Sequence, residues 1–451
     1  MQLSRAGIAV ACWLAFTAAG VAAQDAKAAP ELTLTEAIRI ALMSNRPVSI
    51  AKLDISKSRW QLAATKTKRL PEINTYFFGS ANLTTPSFTF KKGVLGSTDG
   101  TPNGPPLPAK DINISLSQGF TGYATATIAQ PLSQLYKIGL LVHEQELDLQ
   151  LANEKYRAKR QSTSADVKQA YYAVLQTESA LEAEQALVMQ YQETDRLLLQ
   201  YLQQESVLKS SSLDATAKLA QAQYQVTQFA DTLETQKEQL NTIMGRDLDT
   251  PFRTQQVPTI SEEEADLKVA RQTAVARRPE VKEAEIDMQR AEYDRRFAKA
   301  AYIPDVGLVF HYLSPINTQL LPQNIATIGA ELKWEPFDWG KRRDDIRQKA
   351  DVVAQSKLQL SEVQAQVLLD VDKSFRKLSE SRLLLQVAIA ARDAANEKLR
   401  ETMDQFKKSV VLLRDLLEQQ VAVANANHGY EESLLAFWSA KANFEKALGE
   451  E

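Results

Sequence analysis

Few side chains in this chain are placed for chemistry. In Val410–Gln420, VVLLRDLLEQQ, the acids Asp415 and Glu418 stand three apart and share one face of a helix. A pair so placed can gather cations, or it can serve its own helix by setting negative charge at the positive N-terminal end. On the residues alone the second role is the simpler. His143, His311 and His428 are isolated, no nucleophile motif or metal-spaced cluster occurs, and no glycine-rich phosphate loop opens a helix. The sequence therefore predicts no enzyme and no cofactor. A formal net charge of −3 argues against a nucleic-acid surface.

The elements that would position such a pair are unusual in length. From Leu140 to Met244, and again from Lys341 to His428, there is no glycine or proline. An unbroken helix over the first stretch would be ~160 Å long, so a reversal is expected, at the serine-rich Lys209–Asp214 and at Lys407–Val411. The ascending arms then run over 140–208 and 341–408, each ~100 Å. Val167, Val174, Leu181 and Val188 recur at sevens beside Ala173, Ala180 and Leu187, the spacing that packs helices as coiled coils.

The chain is also written twice. Asn45–Ile73 and Arg277–Val306 both open with Arg-Pro and close with an apolar residue, Pro, an acid and a β-branched residue. Each half ends alike, in Met244-Gly245 and Leu448-Gly449. The expected organisation is a signal peptide over 1–23, a first repeat over 24–245, a linker over 246–261 and a second repeat over 262–451. The leader has one basic residue, an apolar run and Val21-x-Ala23, and it holds the only cysteine, Cys12. The exported chain should lack disulfides.

Within each half two strands precede the long helix. Phe120–Gln130 alternates Phe120, Gly122, Ala124, Ala126 and Ile128 with Thr121, Tyr123, Thr125 and Thr127; Ile73–Leu83, Asp305–Leu313 and Ile325–Trp334 behave similarly. Each run has about the nine to eleven residues a membrane strand needs, and alternation of apolar and polar faces marks an outer-membrane barrel. Thr84–Gln118, rich in Gly and Pro, reads as an irregular loop. At the end of the last strand, in KWEPFDWGKRRDDI, Trp334, Phe337 and Trp339 suit a membrane-interface belt. Pro336 stops the ladder, Gly340 eases the bend, and Lys341, Arg342 and Arg343 begin a water-bathed helix. Pro131, Tyr136 and Gly139 form the earlier copy. Four strands cannot close a barrel in lipid, where every edge group needs a partner, so the chain must share its barrel with other copies.

The doubled layout, the paired Arg-Pro and Leu/Ile-Pro-Asp/Glu repeats and Pro336-Phe-Asp-x-Gly-x-Arg-Arg343 resemble the TolC-type outer-membrane efflux channels over essentially the whole mature chain. That resemblance implies an α+β membrane protein. Three copies would form a twelve-stranded barrel in the outer membrane of a Gram-negative bacterium, with a long α-helical tunnel across the periplasm. It implies a passive duct exporting drugs, toxic compounds or metal ions, working with a periplasmic adaptor and an inner-membrane transporter. It also puts Asp415 and Glu418 at the periplasmic aperture, with Glu418 standing where the family more often has Asp. The tips Tyr201–Glu205 and Phe406–Ser409 lack the family's usual glycine. A type I protein-secretion channel, or a periplasmic coiled-coil scaffold or adhesin, are the competing readings.

Overall fold

The computed structural model describes residues 30–84, 87–115, 119–203, 209–256, 266–317, 322–408 and 410–450. The expected signal peptide lies outside these residues. In chain order the first half contains β1 (Glu31–Leu32), α1 (Leu34–Ser44), α2 (Arg46–Thr67), β2 (Glu72–Asn82), β3 (Ser87–Phe90), β4 (Ile112–Ser115), β5 (Gly119–Pro131), α3 (Gln134–Gln203) and α4 (Lys209–Met244). The second half contains β6 (Arg253–Thr254), α5 (Leu267–Arg277), α6 (Pro279–Ala300), β7 (Asp305–Ile316), β8 (Ile325–Lys333), α7 (Lys341–Lys407) and α8 (Leu413–Leu448).

Helix lengths recur in the same order along the two halves of the chain. Helices α1 and α5 each have 11 residues, α2 and α6 each 22, α4 and α8 each 36, and α3 and α7 have 70 and 67. At 1.5 Å per residue the two longest span ~100 Å. The reversal between α3 and α4 precedes the expected position: Lys209–Ser212 already form the first turn of α4. Polar serines are unfavourable inside a helix but acceptable in its first turn, where four N–H groups lack partners.

Helix ends follow local chemistry. Thr33 caps α1 through a bond from the Glu36 N–H (3.2 Å), and Asn45 caps α2 through one from the Val48 N–H (3.1 Å), with Pro47 in the first turn. Asn45 Nδ2 also donates to the Ile243 carbonyl at 2.8 Å, tying the end of α4 to the start of α2. Each half closes on a left-handed glycine pressed against a helix junction. Gly245 (φ +71°) lies against the Ser44 carbonyl, and a Cβ there would overlap it. Gly449 (φ +82°) lies against Arg277, where a Cβ would come to 3.1 Å of the backbone.

Two related cores lie where the short helices α1 and α5 pack on the long ones. The first joins Ala37 and Ala41 of α1 to Val167, Tyr171, Val174, Leu240 and Met244. The second joins Ala270 and Ala274 of α5 to Val367, Val371, Leu434, Phe437 and Phe444. Of the heptad row, Val167 and Val174 are fully buried, while Leu181 and Val188, further toward the tips, are half-buried. The expected linker 246–261 is described as far as Gln256, and that described part acts as a strap. Its β6 pairs in parallel with β1, and the Tyr171 hydroxyl lies 2.8 Å from the Leu32 carbonyl, accepting from the Gln255 N–H at 2.8 Å.

The four long strands form one antiparallel sheet in the order β2-β5-β7-β8. The hairpin of each half is thus joined to the other through β5 and β7. The irregular-loop expectation fails at both ends of the described residues 87–115, where β3 and β4 form their own two-stranded sheet, Phe88 opposite Ile114 and Phe90 opposite Ile112. Alternation of Phe88 and Phe90 with Thr89 favours strand here despite the flanking glycines and prolines.

Candidate functional site

Register decides what each face of the four-stranded sheet presents. Ile73, Ile128, Phe310 and Ile328 form one transverse row, and Thr75, Ala126, Tyr312 and Ala326 the next. Phe77 and Leu332 share that face, and Phe77 stacks beside Phe120 with ring centroids 6.5 Å apart. The opposite face carries Asn74, Thr127, His311 and Thr327 in one row, and Glu331, Asp305 and Lys333 nearer the helices. Higher up it becomes aromatic, where Tyr123 lies 6.0 Å from Tyr76 and 5.5 Å from Phe78.

Among the described residues nothing covers the apolar face. Ile73, Phe77, Ile328 and Leu332 are each more than 60 % exposed. These four lie on the two outer strands, and with Ile128 and Leu308 between them they make an exposed apolar surface of the kind that marks an interaction or membrane site. The outer edges, on β2 and β8, pair with no other strand among the described residues. Four strands of alternating direction leave those edges antiparallel, so the β8 of one copy can continue into the β2 of the next. Among the described residues no helix is long and apolar enough to cross a membrane.

The junction between β8 and α7 is more constructed than its sequence suggests. Trp339 (φ 57°) and Gly340 (φ +89°) both adopt the left-handed region, which turns the chain sharply after Pro336. Asp338 holds that turn, accepting from the Gly340 N–H at 3.1 Å and the Arg342 N–H at 2.9 Å. The bond from the Arg342 amide is the main reason its carboxyl is held below the ordinary value of 3.8. Arg342, expected in water, is instead largely covered. Its guanidinium donates to the Glu335 carbonyl at 2.7 Å, pairs with Asp338 at 3.4 Å and lies 5.7 Å from the Tyr302 ring. Phe337 and Trp339 meet edge to face at 4.7 Å, and Trp334, Phe337 and Trp339 are all exposed. Asp338 is legible in principle, as an Asp ahead of a glycine and a helix.

The earlier junction is built differently. Pro131 ends β5 opposite Gly307, but α3 begins at Gln134. Gly139 therefore lies inside α3 and is no break; the turn falls on Leu132 and Ser133, whose N–H groups both donate to the Val306 carbonyl. Tyr136 is an exposed residue of the first turn of α3. Ser133 Oγ donates to the Pro304 carbonyl and accepts from the Val306 N–H, both at 2.7 Å, and Lys137 pairs with Asp305 at 2.6 Å. A cleft of about 820 Å³ opens here, lined by Lys68, Glu72, Gln130, Glu331 and Lys333.

At the far end of the helices, Asp415 occupies the first turn of α8 and accepts from the Leu412 N–H at 3.1 Å. Glu418, one turn on, is exposed. The carboxylate of Asp415 thus serves its own helix end. The three histidines lie apart: His143 beside Glu146 (3.1 Å), His311 beside Thr127 (3.2 Å) on the polar sheet face, and His428 on α8. Among the described residues no group of His, Cys, Asp and Glu could hold a metal ion.

The sheet has one largely apolar and one more polar face and is carried on helical hairpins ~100 Å long. Residues 270–450 match the sequence family described as outer membrane efflux protein. The fold is that of solved outer-membrane channels. CmeC of Campylobacter jejuni superposes with a TM-score of 0.75 at 14% identity, covering 92% of this chain and 85% of that one. VceC of Vibrio cholerae gives 0.71 at 15% identity, covering 92% and 96%. The open state of MtrE of Neisseria gonorrhoeae gives 0.68 at 17% identity, covering 92% and 89%. No curated protein matches the chain. A family model thus matches residues 270–450, and over more than nine-tenths of its length the chain has the fold of these solved channels.

Proposed function

We propose that three copies of this chain close a twelve-stranded barrel in an outer membrane, continued by a helical tunnel into the periplasm, and that the assembly is a passive duct for exporting small molecules. The observation that carries the reading is the open-edged sheet whose two faces differ in polarity. Lipid requires every edge group to be paired, and pooling strands between copies is how a four-stranded sheet meets that requirement. A passive duct takes its driving force from elsewhere, here from an inner-membrane transporter reached through a periplasmic adaptor. The native mass of the detergent-extracted protein tests the assembly: three chains support it, and a monomer at all detergent concentrations contradicts it.

Asp415 and Glu418 are proposed to line the periplasmic aperture. Three copies would bring six carboxylates to one ring, favouring cations and repelling anions. Each carboxylate attracts a nearby cation by on the order of 1 kcal/mol in a watery aperture, so Asp415→Ala with Glu418→Ala should weaken block of single-channel current by trivalent cations by about tenfold or more. Undiminished block removes these residues from the aperture and leaves Asp415 as a helix cap alone.

A further inference from the structure

Residues 87–115 form an arm with a well-made backbone and no core. Beyond the β3–β4 ladder the two strands stay bonded, Gly93 N–H to the Pro108 carbonyl (3.1 Å), Leu95 N–H to that of Leu107 (2.9 Å) and Thr98 N–H to that of Pro105 (2.9 Å). The arm leaves the sheet after Asn82 and rejoins it at Gly119, at the ends of β2 and β5 remote from the helices. Yet its apolar side chains are in water: Phe88, Phe90, Val94, Leu95, Leu107 and Ile112 are all exposed, Phe88 at 56% and Leu95 at 64%. Among the described residues no other element packs closely enough against β3 or β4 to cover them.

Charge indicates what covers them. The arm carries Lys91, Lys92 and Lys110, all at the end of the ladder marked by Phe90 and Ile112, and none has an ion-pair partner among the described residues. Its two acids are exposed but bond to the arm's own backbone rather than to the lysine ammoniums. Asp111 accepts from the Lys92 N–H at 2.7 Å, and Asp99 from the N–H and hydroxyl of Thr101 at 3.1 and 2.9 Å. Three unpaired ammonium groups beside six exposed apolar side chains fit an anionic lipid surface, where the apolar groups enter the leaflet and the ammoniums meet phosphate. A second copy of the arm would oppose like charges.

We propose that this arm is a lipid-docking element that lies on the outer leaflet around the barrel mouth. The proposal rests on the barrel reading above, because that reading sets which end of the sheet faces outward. Cys12 is the only cysteine, so with Cys12→Ser a single Val94→Cys can carry an environment-sensitive fluorophore on the full chain. The assembled protein is reconstituted in phosphatidylcholine vesicles with and without phosphatidylglycerol, and quenching by lipid-borne spin label is compared with quenching by aqueous iodide. Ile328→Cys, on the apolar sheet face, is the reference. The Val94 label should be quenched from the lipid phase about twofold more strongly when the anionic lipid is present, and Lys91→Glu with Lys92→Glu and Lys110→Glu should remove that gain. If the Ile328 label meets lipid while the Val94 label stays open to iodide in both vesicles, or cross-links between copies, the docking proposal is overturned and the barrel stands. Lipid quenching indifferent to composition and to the lysines overturns the headgroup pairing. An Ile328 label that never meets lipid overturns the barrel and the arm together.

Discussion

The belt where α1, α5 and the β1–β6 strap pack on the long helices, the equator of this molecule, and the four-stranded sheet solve opposite problems. At the equator one chain completes its own structure: Leu240, Met244, Val281 and Val371 are wholly buried, and Tyr171 satisfies both β1 and the strap at Gln255. In the sheet nothing is complete, since the apolar face is bare and both edges are open among the described residues. Burial within a chain stabilises a protomer, whereas in the proposed assembly lipid and neighbouring copies supply what the sheet lacks. On that reading the equator makes the protomer fold, and the sheet makes it assemble.

Charging the bare face should break this contrast most sharply. Ile328→Arg places a guanidinium where a membrane strand meets lipid, at a cost of about 2–4 kcal/mol per copy near the bilayer centre. The proposed trimer should disappear from native gels while far-ultraviolet circular dichroism keeps its helical signal. Asn74→Arg, on the other face, should assemble normally and alter conductance alone.

Next in size is the equatorial core. Leu240→Ala should lower protomer stability by about 2–5 kcal/mol, read as a downward shift of the helical melting temperature, with no change in oligomer order. Tyr171→Phe should cost about 0.5–1.5 kcal/mol, because the hydroxyl's bonds to the Leu32 carbonyl and the Gln255 N–H are lost while that N–H keeps the Leu32 carbonyl at 3.3 Å. Equal losses of assembly from Leu240→Ala and Ile328→Arg would erase the distinction between the regions.

The smallest effect belongs to the junction. Asp338 has a folded pKa below its unfolded value, so its contribution is complete above the ordinary aspartate range and is lost as pH falls through the depressed value. The melting difference between wild type and Asp338→Asn should therefore be constant from neutral pH down to the ordinary aspartate value of 3.8 and shrink only below it. A difference that shrinks already between neutral pH and 5 contradicts the assignment of that carboxylate to the turn.

Much of the fold is legible in the sequence. Repeat, helix lengths and strand faces follow from periodicity, because a pattern sustained over many residues leaves few conformations open. Single-residue junctions are harder. Gly139 suggests a break because glycine weakens helices, but nothing crowds it and the helix simply runs through. Arg342 sits in a basic run and so points to water, yet tertiary partners, Tyr302 among them, cover it. The β3–β4 arm is hidden by Gly and Pro in its turns, which outnumber the short alternation that makes the ladder. Asn45, buried and bonded to Ile243, depends on a partner no local pattern encodes. At the candidate aperture the spacing of Asp415 and Glu418 is plain in the sequence, whereas the ring they would form depends on other copies of the chain.

Conductance across a planar bilayer tests the central claim most directly. Purified protein, added to one side only, should give discrete current steps of uniform size, and each step should vanish with Ile328→Arg. A protein that remains a water-soluble single chain and leaves the bilayer electrically silent would contradict the account.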